Sequence, residues 1–177
     1  MIMAGKRVKE QRKQELFSRL TYGKDGLYAY KLEHQSNGGM KAGRNCADIL
    51  AVRYSEGVPQ ALVLIRVKST RRSCKDKVGL RDYPGIQTHI NRMKEYIESE
   101  YIGFREKEAR DIIETYNSLG IRKTPVAVPE PGRLGKTEMV MIFTDEAIAY
   151  YKEHKKSIDK KGCVMLEWSA MDGLRFL

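Results

Sequence analysis

The chain has 177 residues, of which 41% are hydrophobic and 32% are charged. This length supports one compact domain with a substantial core and is too short for two well-separated ones, so we expect residues 1–177 to form a single domain. Lys and Arg number 33 against 23 Asp and Glu, a formal net charge of +10. That excess favours a polyanionic partner, nucleic acid or an anionic membrane surface, with charge that only serves solubility as the alternative.

Targeting and redox features favour a soluble protein. No apolar run approaches the roughly 18 to 20 residues that span a bilayer, and the basic N-terminus lacks the apolar stretch of a signal peptide. We therefore expect a cytoplasmic protein without a membrane partner. The three cysteines are scattered, a pattern that predicts neither disulfides nor a zinc site and leaves oxygen ligands for any metal.

Hydrophobic periodicity, glycines and prolines divide the chain into alternating helices and strands. In chain order, the pattern predicts a basic amphipathic helix at 6–20, a strand at 27–32, a mobile glycine-rich loop at 36–43, a β-hairpin of 48–54 and 61–68, a mobile basic loop at 71–81, helices at 86–97 and 104–119, strands at 124–128 and 138–143, a helix around 147–151, and a last strand at 164–168. We expect the first helix to bury Val8, Leu16, Phe17 and Leu20. The order predicts an α/β fold, a mixed central β-sheet flanked by helices.

The predicted hairpin brings an acid next to cations. With a turn centred on residues 56–57, residue 48 faces residue 65 or 66, so Asp48 lies beside Arg66 and near Lys68. Opposed side chains on one face of an antiparallel pair are about 5 Å apart at Cβ. Arg66 and Lys68 alternate with apolar residues, which predicts one charged face and one dry face on this strand.

Segments 47–51 (ADILA) and 64–69 (LIRVKS) resemble the core of the PD-(D/E)XK nucleases, and in layout the archaeal Holliday junction resolvases among these restriction-endonuclease-like proteins. In those families a helix bearing a glutamate precedes an Asp that opens a hairpin strand and an acid-x-Lys that ends the next strand. The resemblance implies a restriction-endonuclease-like fold and a metal-dependent endonuclease acting on duplex or branched DNA. It implies catalytic roles for Asp48, which would also hold the metal, and for Lys68.

Arg66 departs from the family pattern. In such a site two carboxylates hold Mg²⁺ or Mn²⁺, which activates a water, but a guanidinium cannot ligate a metal. Three interpretations follow. The second metal ligand is Glu33, or else Glu15 or Glu10 on the first helix; the site is degenerate and binds nucleic acid without cutting; or Asp48 and Arg66 form a structural ion pair, worth under about 1 kcal/mol if exposed.

The basic stretch after the hairpin is expected to contact phosphates, because each Lys or Arg that neutralises a phosphate releases counterions. The predicted nucleic-acid-binding residues are Arg66, Arg71, Arg72, Lys75, Lys77, Arg81 and Gln87. The leading hypothesis is a deoxyribonuclease dependent on Mg²⁺ or Mn²⁺. The alternatives are a catalytically degenerate DNA-binding module on the same fold, and a structural or interaction domain. A homodimer through an apolar strand edge or helix face remains open.

Overall fold

The structure is a computed structural model that describes residues 2–21, 26–33, 46–76, 85–122 and 124–177. Within these ranges it is an α/β protein in which six strands form one mixed sheet accompanied by five helices. The strands are β1 (Leu27–Leu32), β2 (Ile49–Ser55), β3 (Val58–Lys68), β4 (Glu138–Phe143), β5 (Val164–Ser169) and β6 (Gly173–Phe176). The helices are α1 (Ile2–Thr21), α2 (Arg71–Cys74), α3 (Ile86–Ile97), α4 (Tyr101–Ser118) and α5 (Glu146–His154).

The strands lie in the sheet in their sequence order, β1 to β6. β1, β2 and β3 form an antiparallel meander, β4 and β5 run parallel to β3, and β6 returns antiparallel to β5. Parallel neighbours need crossover connections, which α2 to α4 provide between β3 and β4 and α5 provides between β4 and β5. The predicted mixed sheet flanked by helices is therefore confirmed, including the central position of the apolar strand β4.

The β2–β3 hairpin is confirmed and its turn occupies residues 56–57. Glu56 and Gly57 both have positive φ, 51° and 78°, the left-handed pair that matches the twist of a two-residue hairpin. A register shift follows at Arg53 and Tyr54, after which Ile49 pairs with Ile65. The turn thus fixes which residues of β3 lie opposite the start of β2.

Helices cover both faces of the sheet. One core combines Leu16 and Leu20 of α1 with alternate strand residues such as Ile65 and Val67. The other core packs α3, α4 and α5 against the opposite face of the strands. Every β3 residue from Ala61 to Lys68 is buried as a result, including the cations. The expectation that one face of this strand is dry and the other charged is therefore incomplete, because helices cover both faces.

Helix α1 buries a different stripe from the predicted one. Leu16 and Leu20 are fully buried as expected, but Val8 is 36% exposed, whereas Lys13 is 0% exposed. The spacing of residues 13, 16 and 20 is helical, so the buried face continues from the two leucines to a lysine. This lysine needs a buried counter-charge.

The basic loop expected at 71–81 is partly helical. Thr70 caps the short helix α2: its hydroxyl accepts from the backbone of Ser73, and the Ser73 hydroxyl accepts from the backbone of Thr70. This reciprocal arrangement ends the strand and starts a helical turn, as a capping box does. Lys77 and Arg81, and the glycine-rich segment 36–43, lie outside the described residues.

The strand predicted at 124–128 is wrong. Asn117 at the end of α4 donates through its amide to the Val126 carbonyl and accepts from the Val126 backbone N–H. The Tyr54 hydroxyl donates to the carbonyl of Ala127. Side chains therefore satisfy backbone groups that a sheet neighbour would otherwise satisfy, and the prolines at 125 and 129 cannot donate at all.

Two remaining expectations concern the cysteines and the membrane. Cys46, Cys74 and Cys163 are free thiols, as the prediction of no disulfides requires, and all three are buried. Among the described helices, none has the length and apolarity needed to cross a bilayer. The sequence did not reveal β6, the short edge strand that pairs with β5.

Candidate functional site

Asp48 lies at the start of β2 and is fixed there by backbone contacts. Its N–H donates to the carbonyl of Ile65 at 2.7 Å, and its Oδ2 accepts from the N–H of Val67 at 2.8 Å. The side chain is 1% exposed. The register therefore brings Asp48 beside Arg66, whose Nη1 is 3.4 Å from Asp48 Oδ1, as the hairpin arithmetic predicted.

Two lysines of α1 also reach this carboxylate. Lys13 Nζ lies 3.0 Å from Asp48 Oδ1, and Lys9 Nζ lies 3.5 Å from the same oxygen. Lys13 Nζ is also 3.0 Å from Oε1 of Glu10, so one buried ammonium bridges two carboxylates. The sequence predicted a basic amphipathic helix here and did not assign these two lysines to the site. The available signal was their helical spacing, because 9 and 13 extend the stripe of 16 and 20.

The charges around Asp48 determine its protonation. Burial alone would raise the pKa of Asp48, but the charges of Lys9, Arg66 and Lys13 outweigh it and hold that pKa well below its ordinary value. Burial lowers the pKa of Lys9, and the nearby Asp48 only partly offsets this. Asp48 is therefore ionised at neutral pH and lies at the centre of a group of cations.

Lys68 lies at the end of β3 and is 1% exposed. Its Nζ donates to the carbonyl of Ser73 in α2, one turn after the strand. Burial, followed by repulsion from Lys9, lowers the pKa of Lys68 to about 7. The resemblance implied a catalytic role for this lysine, and the structure places its amine against a backbone carbonyl of the capping turn.

His89 of α3 completes the group, which we call the Asp48 cluster: Lys9, Lys13, Asp48, Arg66, Lys68 and His89. His89 is 3% exposed, and burial together with the charges of Lys68 and Arg66 holds its pKa well below the ordinary value. Its Nδ1 is buried and has no hydrogen-bond partner within the described ranges. His89 is not among the predicted site residues, because the neighbouring cations come from distant segments.

The carboxylates proposed as a second metal ligand are held by cations. Glu33 Oε1 lies 3.0 Å from Arg105 Nη1, and Glu15 Oε2 lies 2.7 Å from Arg12 Nη1. Glu10 binds Lys13, as described above. The backbone N–H of Glu33 donates to the carbonyl of Asp48, so β1 and β2 do bring these two residues together.

This donor set does not fit Mg²⁺ or Mn²⁺. Hard divalent cations need several oxygen ligands, but both oxygens of Asp48 already accept from Val67 or face the cations Lys9, Lys13 and Arg66. Two like unit charges about 4 Å apart repel by roughly 4 kcal/mol at an effective dielectric constant of 20, and a dication doubles that at each cation. Within the described ranges, no three His, Cys, Asp or Glu residues group as a metal site.

The exposed cations lie just beyond the cluster, on and after α2. Arg71, Arg72 and Lys75 are all exposed. Arg71 Nη2 is 2.7 Å from Glu153 Oε2, and its guanidinium lies over the Tyr150 ring, 5.7 Å from the centroid. These contacts attach α2 to α5, so the described part of the expected mobile loop, residues 71–76, packs against the rest of the protein.

Gln87, another predicted nucleic-acid contact, has structural partners. Its Nε2 donates to the Asp159 carbonyl at 3.0 Å, and its Oε1 accepts from the Asp159 N–H at 3.0 Å. Its own N–H donates to Asp76 Oδ2 at 2.8 Å. Gln87 therefore joins the end of α2 to the segment after α5.

Comparison of this chain with protein-family models, with curated proteins and with solved structures finds no match.

Proposed function

We propose that this chain binds nucleic acid through the sugar-phosphate backbone and does not cut it. The binding residues in this proposal are the exposed cations that follow β3: Arg71, Arg72 and Lys75. The observation that carries it is the Asp48 carboxylate, which is surrounded by Lys9, Lys13 and Arg66 where a metal-dependent hydrolase needs free oxygen ligands.

The order of elements supports a restriction-endonuclease-like version of this α/β fold. A helix bearing glutamates precedes an Asp at the start of a hairpin strand, and Arg66-Val67-Lys68-Ser69 ends the next strand. This is the layout of the PD-(D/E)XK nucleases, with Arg66 in the position of the second acid. A protein related to these nucleases in this way would keep the fold and its DNA-binding surface but lose the metal site.

The cations of the cluster argue against hydrolysis. Arg66 cannot lose its proton, and Lys13 is 0% exposed with its ammonium between Glu10 and Asp48. A metal would have to displace a buried lysine that the protein already stabilises. The Lys13 ammonium therefore lies between the Glu10 and Asp48 carboxylates, at the position that a metal ion would need.

In this proposal, exposed cations supply the affinity for a polyanion. Buried Arg66 and Lys68 cannot reach a phosphate without opening of the fold, whereas Arg72 and Lys75 already lie on the surface. Each exposed cation that meets a phosphate releases counterions and makes binding depend on salt. Such contacts position a duplex without reading its sequence.

The test combines binding with cleavage. Fluorescence anisotropy with duplex and four-way-junction DNA, in increasing KCl, should show binding that weakens steeply with salt. The variant Arg72→Gln/Lys75→Gln should bind more weakly than wild type, whereas the matched control Lys107→Gln/Arg110→Gln, with two exposed cations of α4 removed, should bind as wild type does.

The same DNAs incubated with Mg²⁺ or Mn²⁺ should remain intact. Cleavage that disappears in Lys68→Ala would contradict the proposal and establish the metal-dependent endonuclease instead. If the wild type does not bind DNA, the proposal is also contradicted, and the alternative of a structural or interaction domain is favoured.

A further inference from the structure

We propose that the nucleic-acid surface extends from α2 onto residues 155–161, the segment after α5. This inference rests on the proposed function and names the second part of its interface. Lys155, Lys156, Lys160 and Lys161 are all exposed there. Together with Arg71, Arg72 and Lys75 they form what we call the basic surface.

The segment 155–161 is held in place by α3. The side-chain amide of Gln87 makes two hydrogen bonds to the backbone of Asp159, both 3.0 Å long. Lys161 Nζ donates to Asn91 Oδ1 at 2.8 Å, and Lys161 and Gly162 turn the chain with φ of 46° and 82°. The lysines of this segment are therefore presented on a fixed backbone, so binding does not have to order it.

Contacts at both ends join this segment to α2. At one end, Arg71 binds Glu153 of α5, directly before the lysines. At the other end, Asp76 accepts from the backbone N–H groups of Gly85, Gln87 and Thr88, and Gln87 in turn holds Asp159. Lys75 precedes Asp76 in the chain, so the cations of α2 and those of 155–161 lie on adjoining segments.

The acids within this surface are occupied by internal contacts. Glu153 pairs with Arg71, Asp76 caps α3, and Asp159 Oδ1 accepts from the backbone of Lys161. Within the described ranges, Lys155, Lys156 and Lys160 form no ion pair. These three lysines are therefore not paired within the described residues, and their ammonium groups can meet a partner.

The chemistry of the surface favours nucleic acid over a lipid membrane. Proteins that lie on membranes insert apolar side chains beside their cations. The single apolar residue of the segment, Ile158, packs against the core, and the large exposed apolar side chains of the described chain all lie outside residues 71–76 and 155–161. A cationic surface without apolar anchors suits repeated contacts to phosphates along a backbone.

The test removes three lysines at once. In Lys155→Gln/Lys156→Gln/Lys160→Gln, anisotropy with a 30-base-pair duplex should show affinity at least tenfold lower at 100 mM KCl. The slope of log K against log[KCl] should become shallower by about 2 to 3, since each lost phosphate contact contributes about 0.9. The matched control Lys107→Gln/Arg110→Gln/Lys136→Gln removes three exposed cations elsewhere and should keep the wild-type slope.

Each result has a distinct meaning. If the wild type binds, Arg72→Gln/Lys75→Gln binds weakly and the triple variant binds like wild type with an unchanged circular dichroism spectrum, this inference fails while the proposed function stands. If the wild type binds no DNA, the proposed function fails and the inference with it. Binding to phosphatidylserine vesicles that the triple variant loses, without DNA binding, would identify a membrane surface and overturn both.

Discussion

The Asp48 cluster and the basic surface contain the same residue types in opposite environments. In the cluster, Lys13, Arg66 and Lys68 are at most 3% exposed, and Lys13 and Arg66 face the central Asp48 carboxylate. On the basic surface, Lys155, Lys156 and Lys160 are exposed. Burial separates the two roles: cations that must neutralise a buried acid stabilise the fold, and cations in water remain available to a polyanion.

The difference in burial also predicts which property a substitution changes in each region. Removing one partner from a buried ionic group leaves uncompensated charge in a low-dielectric site, whereas an exposed cation is solvated before and after the change. Substitutions in the cluster should therefore change stability, and substitutions on the basic surface should change binding.

The largest effect is expected from Asp48→Asn. The variant keeps the shape of the side chain but leaves Lys9, Lys13 and Arg66 without their shared anion. We expect the free energy of unfolding to fall by about 3–5 kcal/mol. Urea denaturation followed by circular dichroism measures it.

The control for this change is Asp111→Asn on the exposed side of α4. It should change the unfolding free energy by less than about 0.5 kcal/mol. A loss at Asp48 as small as in the control would show that the cluster does not stabilise the fold.

The next effect concerns binding alone. Replacing the exposed cations Arg72, Lys75, Lys155, Lys156 and Lys160 by Gln should weaken duplex DNA binding on the order of 100-fold at 100 mM KCl. The unfolding free energy should change little, because these side chains are exposed. Anisotropy and urea denaturation on the same preparation separate the two quantities. Retained affinity would place the DNA contacts elsewhere on the molecule.

Per pH unit, a smaller effect is expected in the pH dependence of stability. The pKa of Lys68 is about 7 in the folded protein, because of burial first, and about 10.4 in an unfolded chain. Between these values the unfolded state binds the extra proton, so the unfolding free energy rises with pH by up to about 1.4 kcal/mol per unit.

The variant Lys68→Met removes this titrating amine. The rise of the unfolding free energy between about pH 7 and pH 10 should therefore become flatter. It should also be no less stable than wild type at pH 7, where burying the charged amine is unfavourable. Urea denaturation at pH 7, 8 and 9 compares the two proteins. An identical pH slope would mean that the Lys68 amine is charged and solvated in the folded state.

The smallest expected effect is that of divalent metal. A ligand at 100 times its dissociation constant adds about 2.7 kcal/mol of stability. Because Lys13 bridges Glu10 and Asp48, we expect Mg²⁺, Mn²⁺ and a chelator all to leave the melting temperature unchanged. A rise with Mn²⁺ that Asp48→Asn abolishes would demonstrate a metal at the cluster.

Local signals were enough to predict the hairpin and its main contact. The Glu56-Gly57 turn and the alternation along β3 set the register, and the register places Asp48 beside Arg66. The regularly patterned helices α3 and α4 were also predicted, since their apolar residues recur at helical spacing.

Contacts between distant segments were not predictable in the same way. Lys13 looks like a surface lysine until α1 is docked over the start of β2, and the role of Gln87 depends on Asp159, which lies 72 residues away. The false strand at 124–128 has a similar origin, because a single side chain, Asn117, satisfies the backbone of Val126. Restriction-endonuclease-like ancestry and nucleic-acid binding without cleavage stay predictions.

The most direct test of the division between the two regions is the salt dependence of duplex DNA binding in three proteins. These are wild type, Lys155→Gln/Lys156→Gln/Lys160→Gln, and Lys68→Met. We expect the slope of log K against log[KCl] to become shallower by about 2 to 3 in the triple variant and to stay at the wild-type value in Lys68→Met. A slope reduced in Lys68→Met and unchanged in the triple variant would contradict the division, because the buried cations would then be the ones that meet the phosphates.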